Sequence, residues 1–195
     1  MLSREVKERL REYETPFYLY DMELLRRTVE CALREADRYG YRLHYAMKAN
    51  NDRRIMEFIA SCGMGADCVS GNEVRRAIET GFAPKDIVYA GVGKKDSEII
   101  YALRQGIFAF NCESKNELVV IDALARELGV VADVALRINP DIDPHTHSYI
   151  TTGLSENKFG ISPREITDVV GMLGDLRNID IMGLHFHIGS QITDL

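Results

Sequence analysis

The chain has 195 residues, 46% of them apolar, and a formal net charge of −6 from 24 Lys and Arg against 30 Asp and Glu. That length supports one substantial hydrophobic core. No apolar run approaches a membrane span, and the acidic balance disfavours nucleic acid and anionic membranes as main partners. Met1–Leu10 is charged throughout and lacks the apolar segment of a signal peptide, so the expected compartment is the cytoplasm.

Residues 1–12 read as a short charged amphipathic helix, followed by a strand over Thr15–Tyr20, TPFYLY, with Pro16 at its beginning. Asp21 is placed to cap a helix with Leu25, Val29 and Leu33 on its buried face, ended by Gly40. Leu43–Asn50, LHYAMKAN, predicts a buried strand that delivers Lys48 at its carboxyl end. A helix over Asn51–Ala60 turns Ile55, Phe58 and Ile59 inward. Gly63 and Gly65 break the chain before a strand at Ala66–Val69. The pattern then repeats: helix Asn72–Thr80, strand Asp86–Ala90, helix Ser97–Arg104, strand Ile107–Asn111, helix Lys115–Leu128, strand Val134–Ile138.

A repeat of roughly 20 to 25 residues holds one strand, one helix and two short loops, long enough for right-handed crossovers between parallel strands. The rhythm breaks at Asp141–Gly160, a polar stretch rich in turn-formers, where a long loop in a compact domain is usually functional. Pro163 then sits at the start of a helix carrying Ile166, Val169, Val170 and Leu173. A sixth strand, Ile181–Phe186, leads to His187, Gly189 and Ser190. The four cysteines, Cys31, Cys62, Cys68 and Cys112, match no paired metal spacing and read as buried free thiols.

Strand ends on one rim of a parallel sheet are where such folds do chemistry. Lys48 is read there either as a solvated lysine or as an amine that loses hydration and forms a Schiff base with an aldehyde cofactor. Ser70 reads as a helix cap with Glu73 completing a capping box, and Asp67 as a carboxylate that keeps nearby cations charged. Arg137, among apolar strand residues, requires an anionic partner: Asp67, another carboxylate or a ligand oxygen. His185 and His187 share one face of their strand. Zinc would need a third ligand such as His145 or His147, so the preferred reading is an imidazole lying flat against a planar cofactor. No GxxxxGK[ST] loop or GxGxxG fingerprint is present, and GVGKK at Gly91–Lys95 matches neither.

The motifs TPFYLYD, YAMKAN, GADCVSGNE, RINPDIDPHTH, TTGLSENKFG and GLHFHIGSQITDL cover nearly the whole chain. With them the chain resembles the diaminopimelate decarboxylases, fold-type III pyridoxal-phosphate enzymes related to ornithine and arginine decarboxylases and, more distantly, alanine racemase. The resemblance implies an α/β fold, an alanine-racemase-like (β/α)8 TIM barrel with about six of its eight parallel strands here. It implies Lys48 as the cofactor-bound lysine, His187 as the ring stacked on the cofactor, and Ser190 near its phosphate. Asp67 and Arg137 become pocket residues, and Lys158 a residue of an active-site loop; no metal is implied.

The implied reaction converts meso-2,6-diaminopimelate to L-lysine and CO2, the last step of lysine biosynthesis, in a cytoplasmic homodimer. Residues 1–20 are expected to pack on a β-domain beyond this chain, and residues 21–195 to form the partial cofactor-binding barrel. The 195-residue chain alone is expected not to decarboxylate, because the family's phosphate loop and dimer-supplied residues fall outside it. The alternatives are an ornithine, arginine or carboxynorspermidine decarboxylase, a non-catalytic pyridoxal-phosphate-binding protein, or an inactive fragment.

Overall fold

A computed structural model describes residues 3–139 and 159–188. The chain divides into two compact units, Met1–Gly40 and Tyr41–Leu195. The first holds α1 (Arg4–Leu10) and α2 (Met22–Asp37). Asp21 caps α2, its Oδ1 accepting from the Leu24 N–H at 2.9 Å, and Val29 and Ala36 are the buried positions of that helix. The strand expected at Thr15–Tyr20 does not form: the segment is irregular and pairs with no other strand. Its alternation of aromatic residues suits a strand, but a strand exists only through a ladder. Phe17, Tyr18, Leu19 and Tyr20 are all exposed.

The second unit is a six-stranded, wholly parallel sheet in the order β1-β2-β3-β4-β5-β6. Its strands are β1 (His44–Ala46), β2 (Gly65–Cys68), β3 (Ile87–Tyr89), β4 (Ala109–Cys112), β5 (Ala132–Ile138) and β6 (Ile179–Phe186). The connecting helices are α3 (Arg53–Ser61), α4 (Gly71–Glu79), α5 (Asp96–Gln105), α6 (Lys115–Leu128) and α7 (Ile166–Leu173). Strict sequential order with parallel pairing is the topology of part of a (β/α)8 barrel.

On β5 the residues alternate between buried and half-buried, Ala132, Val134, Leu136 and Ile138 forming the buried set. These pack in the core with Ile99, Leu118, Ile121 and Val169 of the covering helices. The other face carries Asp133, Ala135 and Arg137, and it is the face that lines the interior. A cavity of about 420 Å³ touches all six strands there, through His44, Asp67, Val88, Asn111, Ala135 and His185 among others. A flat sheet would set β1 and β6 about 24 Å apart, five strand spacings. One cavity reaching both edges requires the sheet to be curled.

The thiols depart partly from expectation. Cys68 and Cys112 are buried, and burial pushes both thiols well up from their ordinary range. Cys31, on α2, is exposed, and Cys62, the residue that closes α3, is half-buried.

Candidate active site

The rim at the carboxyl ends of the strands collects the polar side chains. The chain leaves β1 through a single 3-10 turn, Met47–Ala49, which carries Lys48. Met47 is fully buried and pins the turn, while the Asn50 Oδ1 accepts from the Asp52 N–H at 2.9 Å. Asp52 then caps α3 by accepting from the N–H groups of Arg54 and Ile55. Lys48 is therefore held in place by its neighbours while its own side chain is exposed. Of the two readings the sequence allows, exposure of the side chain matches the solvated lysine; among the described strands only β2 flanks β1.

Asp67 faces the cavity from β2, in register with Ala46 of β1 and Val88 of β3. Burial pushes its carboxyl up from the usual carboxylate range, and the charges of Lys48, His44, Arg137 and His187 pull it back. These groups come from β1, its following turn, β5 and the end of β6, so the curled sheet brings them around one carboxylate. His185 pairs in register with Arg137. Desolvation first, and then the Arg137 charge, lowers both His185 and His187 below the ordinary imidazole value, favouring the neutral ring in each. The Nδ1 of His185 is buried and lacks a hydrogen-bond partner among the described residues.

Arg137 finds the carboxylate its position demands, and the partner is Glu113. Arg137 Nη1 donates to Glu113 Oε1 at 2.5 Å, with the two side chains only 11% and 4% exposed. The ring of Phe159 lies 5.4 Å from the guanidinium. Phe159 and Gly160 close the ENKFG motif, and Ile161 docks beside β5 by donating to the Arg137 carbonyl at 2.7 Å. Gly160 has φ +97°, and a Cβ there would meet the Arg137 carbonyl oxygen at 2.9 Å, so only glycine passes this close.

Sequence reasoning missed Glu113, Lys94 and Glu117. Lys94, in the stretch GVGKK, is 1% exposed and donates to Gly91 O, Asn111 O and Glu117 Oε1 at 2.9, 3.0 and 2.5 Å. A signal was available: Glu113 directly follows a buried strand, the position from which the other rim residues came. The Ser70 cap is present, its Oγ accepting from the Glu73 N–H. Glu73 takes the Val69 N–H rather than that of the cap residue. Lys158 and Ser190 lie outside the described residues, as do His145 and His147. Among the described residues no three His, Cys, Asp or Glu side chains converge as a metal site would require, and no helix is long and apolar enough to cross a membrane.

Comparison with known proteins bears on this rim. Residues 24–195 match the model of the pyridoxal-dependent decarboxylase family, pyridoxal binding domain. The diaminopimelate decarboxylase of Bacteroides thetaiotaomicron is 50% identical over 189 residues, covering 96% of this chain and 49% of the relative. A crystal structure of a point mutant of the Helicobacter pylori diaminopimelate decarboxylase, complexed with L-lysine, superposes with TM-score 0.89 at 40% identity. It covers 97% of this chain and 48% of that one. The M. jannaschii diaminopimelate decarboxylase, also with L-lysine, gives TM-score 0.84 at 37% identity, covering 97% and 45%. The chain thus spans about half the length of the relatives it matches.

Proposed function

The chain belongs to the pyridoxal-dependent decarboxylases, as their pyridoxal-binding domain, and on that premise we propose that it supplies the cofactor-holding half of a diaminopimelate decarboxylase. The reaction is release of CO2 from meso-2,6-diaminopimelate to give L-lysine. The observation that carries the reading is the single rim, at the carboxyl ends of parallel strands, where Lys48, Asp67, Arg137 and His187 stand. Similarity to two diaminopimelate decarboxylases with L-lysine bound supports the substrate.

The residues present fit pyridoxal phosphate. An exposed primary amine at Lys48 is accessible to an aldehyde carbon. A neutral imidazole at His187 offers a flat face that carries no charge against a π-system. The buried carboxyl of Asp67 and the guanidinium of Arg137 offer one proton-accepting and one cationic group to the polar edge of a ring. Ser190 is proposed as a phosphate contact and Lys158 as a residue of the loop that covers the site, both on the family resemblance.

Bound pyridoxal phosphate supplies an electron sink for the pair left at Cα when the carboxylate departs. The protein's part is orientation and proton traffic. Lys48, with its amine exposed at the rim, would hold the cofactor through its aldehyde group and could carry a proton there. Asp67, facing the cavity in register with Ala46 two residues before Lys48, would offer a carboxylate on the same rim. His187 excludes water from one face of the ring. A homodimer in the cytoplasm, with residues 1–20 against a further domain, belongs to the same reading and rests on the resemblance.

Product analysis tests the substrate. The gene product carrying this chain, supplied with pyridoxal phosphate, is given meso-diaminopimelate, ornithine or arginine in turn. Lysine from diaminopimelate alone, abolished in Lys48→Ala, is the expected result. Turnover of ornithine or arginine in its place would move the protein to a sibling activity.

A further inference from the structure

We propose that Glu113 is a positioning residue for the cofactor rim: it fixes the guanidinium of Arg137, and Lys94 and Glu117 fix Glu113 in turn. The proposal rests on reading Lys48, Asp67, Arg137 and His187 as one cofactor site, and names residues which that reading does not include.

Glu113 stands one residue beyond β4. Its Oε1 accepts from Arg137 Nη1 at 2.5 Å and from the Gly91 N–H at 3.1 Å. Its own N–H donates to Glu117 Oε2 at 2.7 Å, and the other oxygen of Glu117 holds Lys94 Nζ. Lys94 returns to the Gly91 carbonyl at 2.9 Å. The circuit closes on Gly91, which gives its N–H to Glu113 and its oxygen to Lys94. Gly91 is at φ +104°, and a Cβ there would stand 3.0 Å from the Val69 carbonyl oxygen, so the turn is available to glycine alone. Three consecutive strand ends are locked together around one carboxylate.

Two further observations argue that the carboxylate serves more than packing. Its Oε2 is buried and without a hydrogen-bond partner among the described residues. A buried oxygen left in that state is costly. Among the described residues, Arg137 is also the rim cation whose charge reaches Asp67, His185 and His187 together. Where Glu113 holds that guanidinium decides the field over the rim.

The test uses the gene product carrying this chain and has two arms. In the first, nitrogen-15 NMR follows hydrogen exchange of the Arg137 guanidinium without cofactor. Glu113→Gln, which keeps shape and removes charge, is expected to speed that exchange by about tenfold, the scale on which partners behind a direct contact act. Unchanged exchange overturns the proposal. In the second arm, pyridoxal-phosphate affinity is measured for E113Q, R137Q, the double variant and the parent. E113Q is expected to weaken binding by about tenfold in the parent and to have no further effect beside R137Q. An equal loss in both backgrounds overturns it, since Glu113 would then act without Arg137.

If E113Q does not fold, the double variant, which removes both buried charges together, is compared with R137Q alone. Equal affinity supports the proposal and a further loss contradicts it. Failure of the parent to form an adduct at Lys48 would sink the cofactor-site reading instead, while the exchange arm still decides whether Glu113 positions Arg137.

Discussion

His44, His185 and His187 share one property: desolvation is the largest influence on each, and it lowers each below the ordinary 6.5. As pH falls below about 6.5 the unfolded chain takes up protons first, so stability declines from neutral pH downward. Asp67 has the opposite sign. Its carboxyl is raised from 3.8, so the folded form protonates first and recovers stability only nearer the carboxylate range. The thermal midpoint is therefore expected to fall between about pH 7 and about pH 5.5. His185→Gln should lower the stability–pH slope in that window by up to one proton, and an unchanged slope would show that the ring titrates normally.

At this scale the sequence was legible wherever a residue's need was local. Asp21 and Ser70 start helices with side-chain oxygens that accept N–H groups three residues on, and Gly129 ends one through its own N–H, three or four residues back. The need of Arg137 for an anion could be read, but the anion could not be named, because Glu113 lies 24 residues away and meets it only after two strands pair.

Among the elements, α6 matches its expected bounds because both of its stop signals are intrinsic: the Ser114 cap and the left-handed Gly129. Elements that depend on distant partners were harder to read. TPFYLY has strand chemistry without a partner strand, and LHYAMKAN yields three strand residues before the chain tightens into a 3-10 turn. The stitching of neighbouring loops was also hidden. Glu98 of α5 accepts from the Gly71 N–H at the start of α4, and Glu113 accepts from Gly91 after β3, so acids from one strand–helix unit satisfy orphan amides of the preceding one.

Lys94 is the cation in this arrangement, 1% exposed against 13% for Glu117. Lys94→Met is expected to cost about 3–5 kcal/mol in chemical denaturation, the scale for a buried pair broken on one side. A companion change of Glu117 to Gln should recover part of it. A loss below about 1 kcal/mol would mean that the pair behaves as a solvated one.

For the molecule as a whole, the sequential parallel order followed from the spacing of strands and helices, since crossovers of that length are right-handed and short. The closeness of β1 and β6 did not follow, because curvature is a sum over all six strands. It is this curvature that gathers Lys48 from one edge and His187 from the other. On the outer face of β6, Met182, Leu184 and Phe186 are exposed, whereas Val134, Leu136 and Ile138 of β5 are covered by helices.

The claim that this rim holds pyridoxal phosphate through Lys48 is tested most directly by chemical trapping. The protein is incubated with pyridoxal phosphate, reduced with borohydride, digested and mapped by mass spectrometry. A pyridoxyl group on Lys48 in preference to every other lysine, with little on Lys94 despite its position beside the rim, is the predicted result. Modification scattered over surface lysines, or none at Lys48, would contradict it.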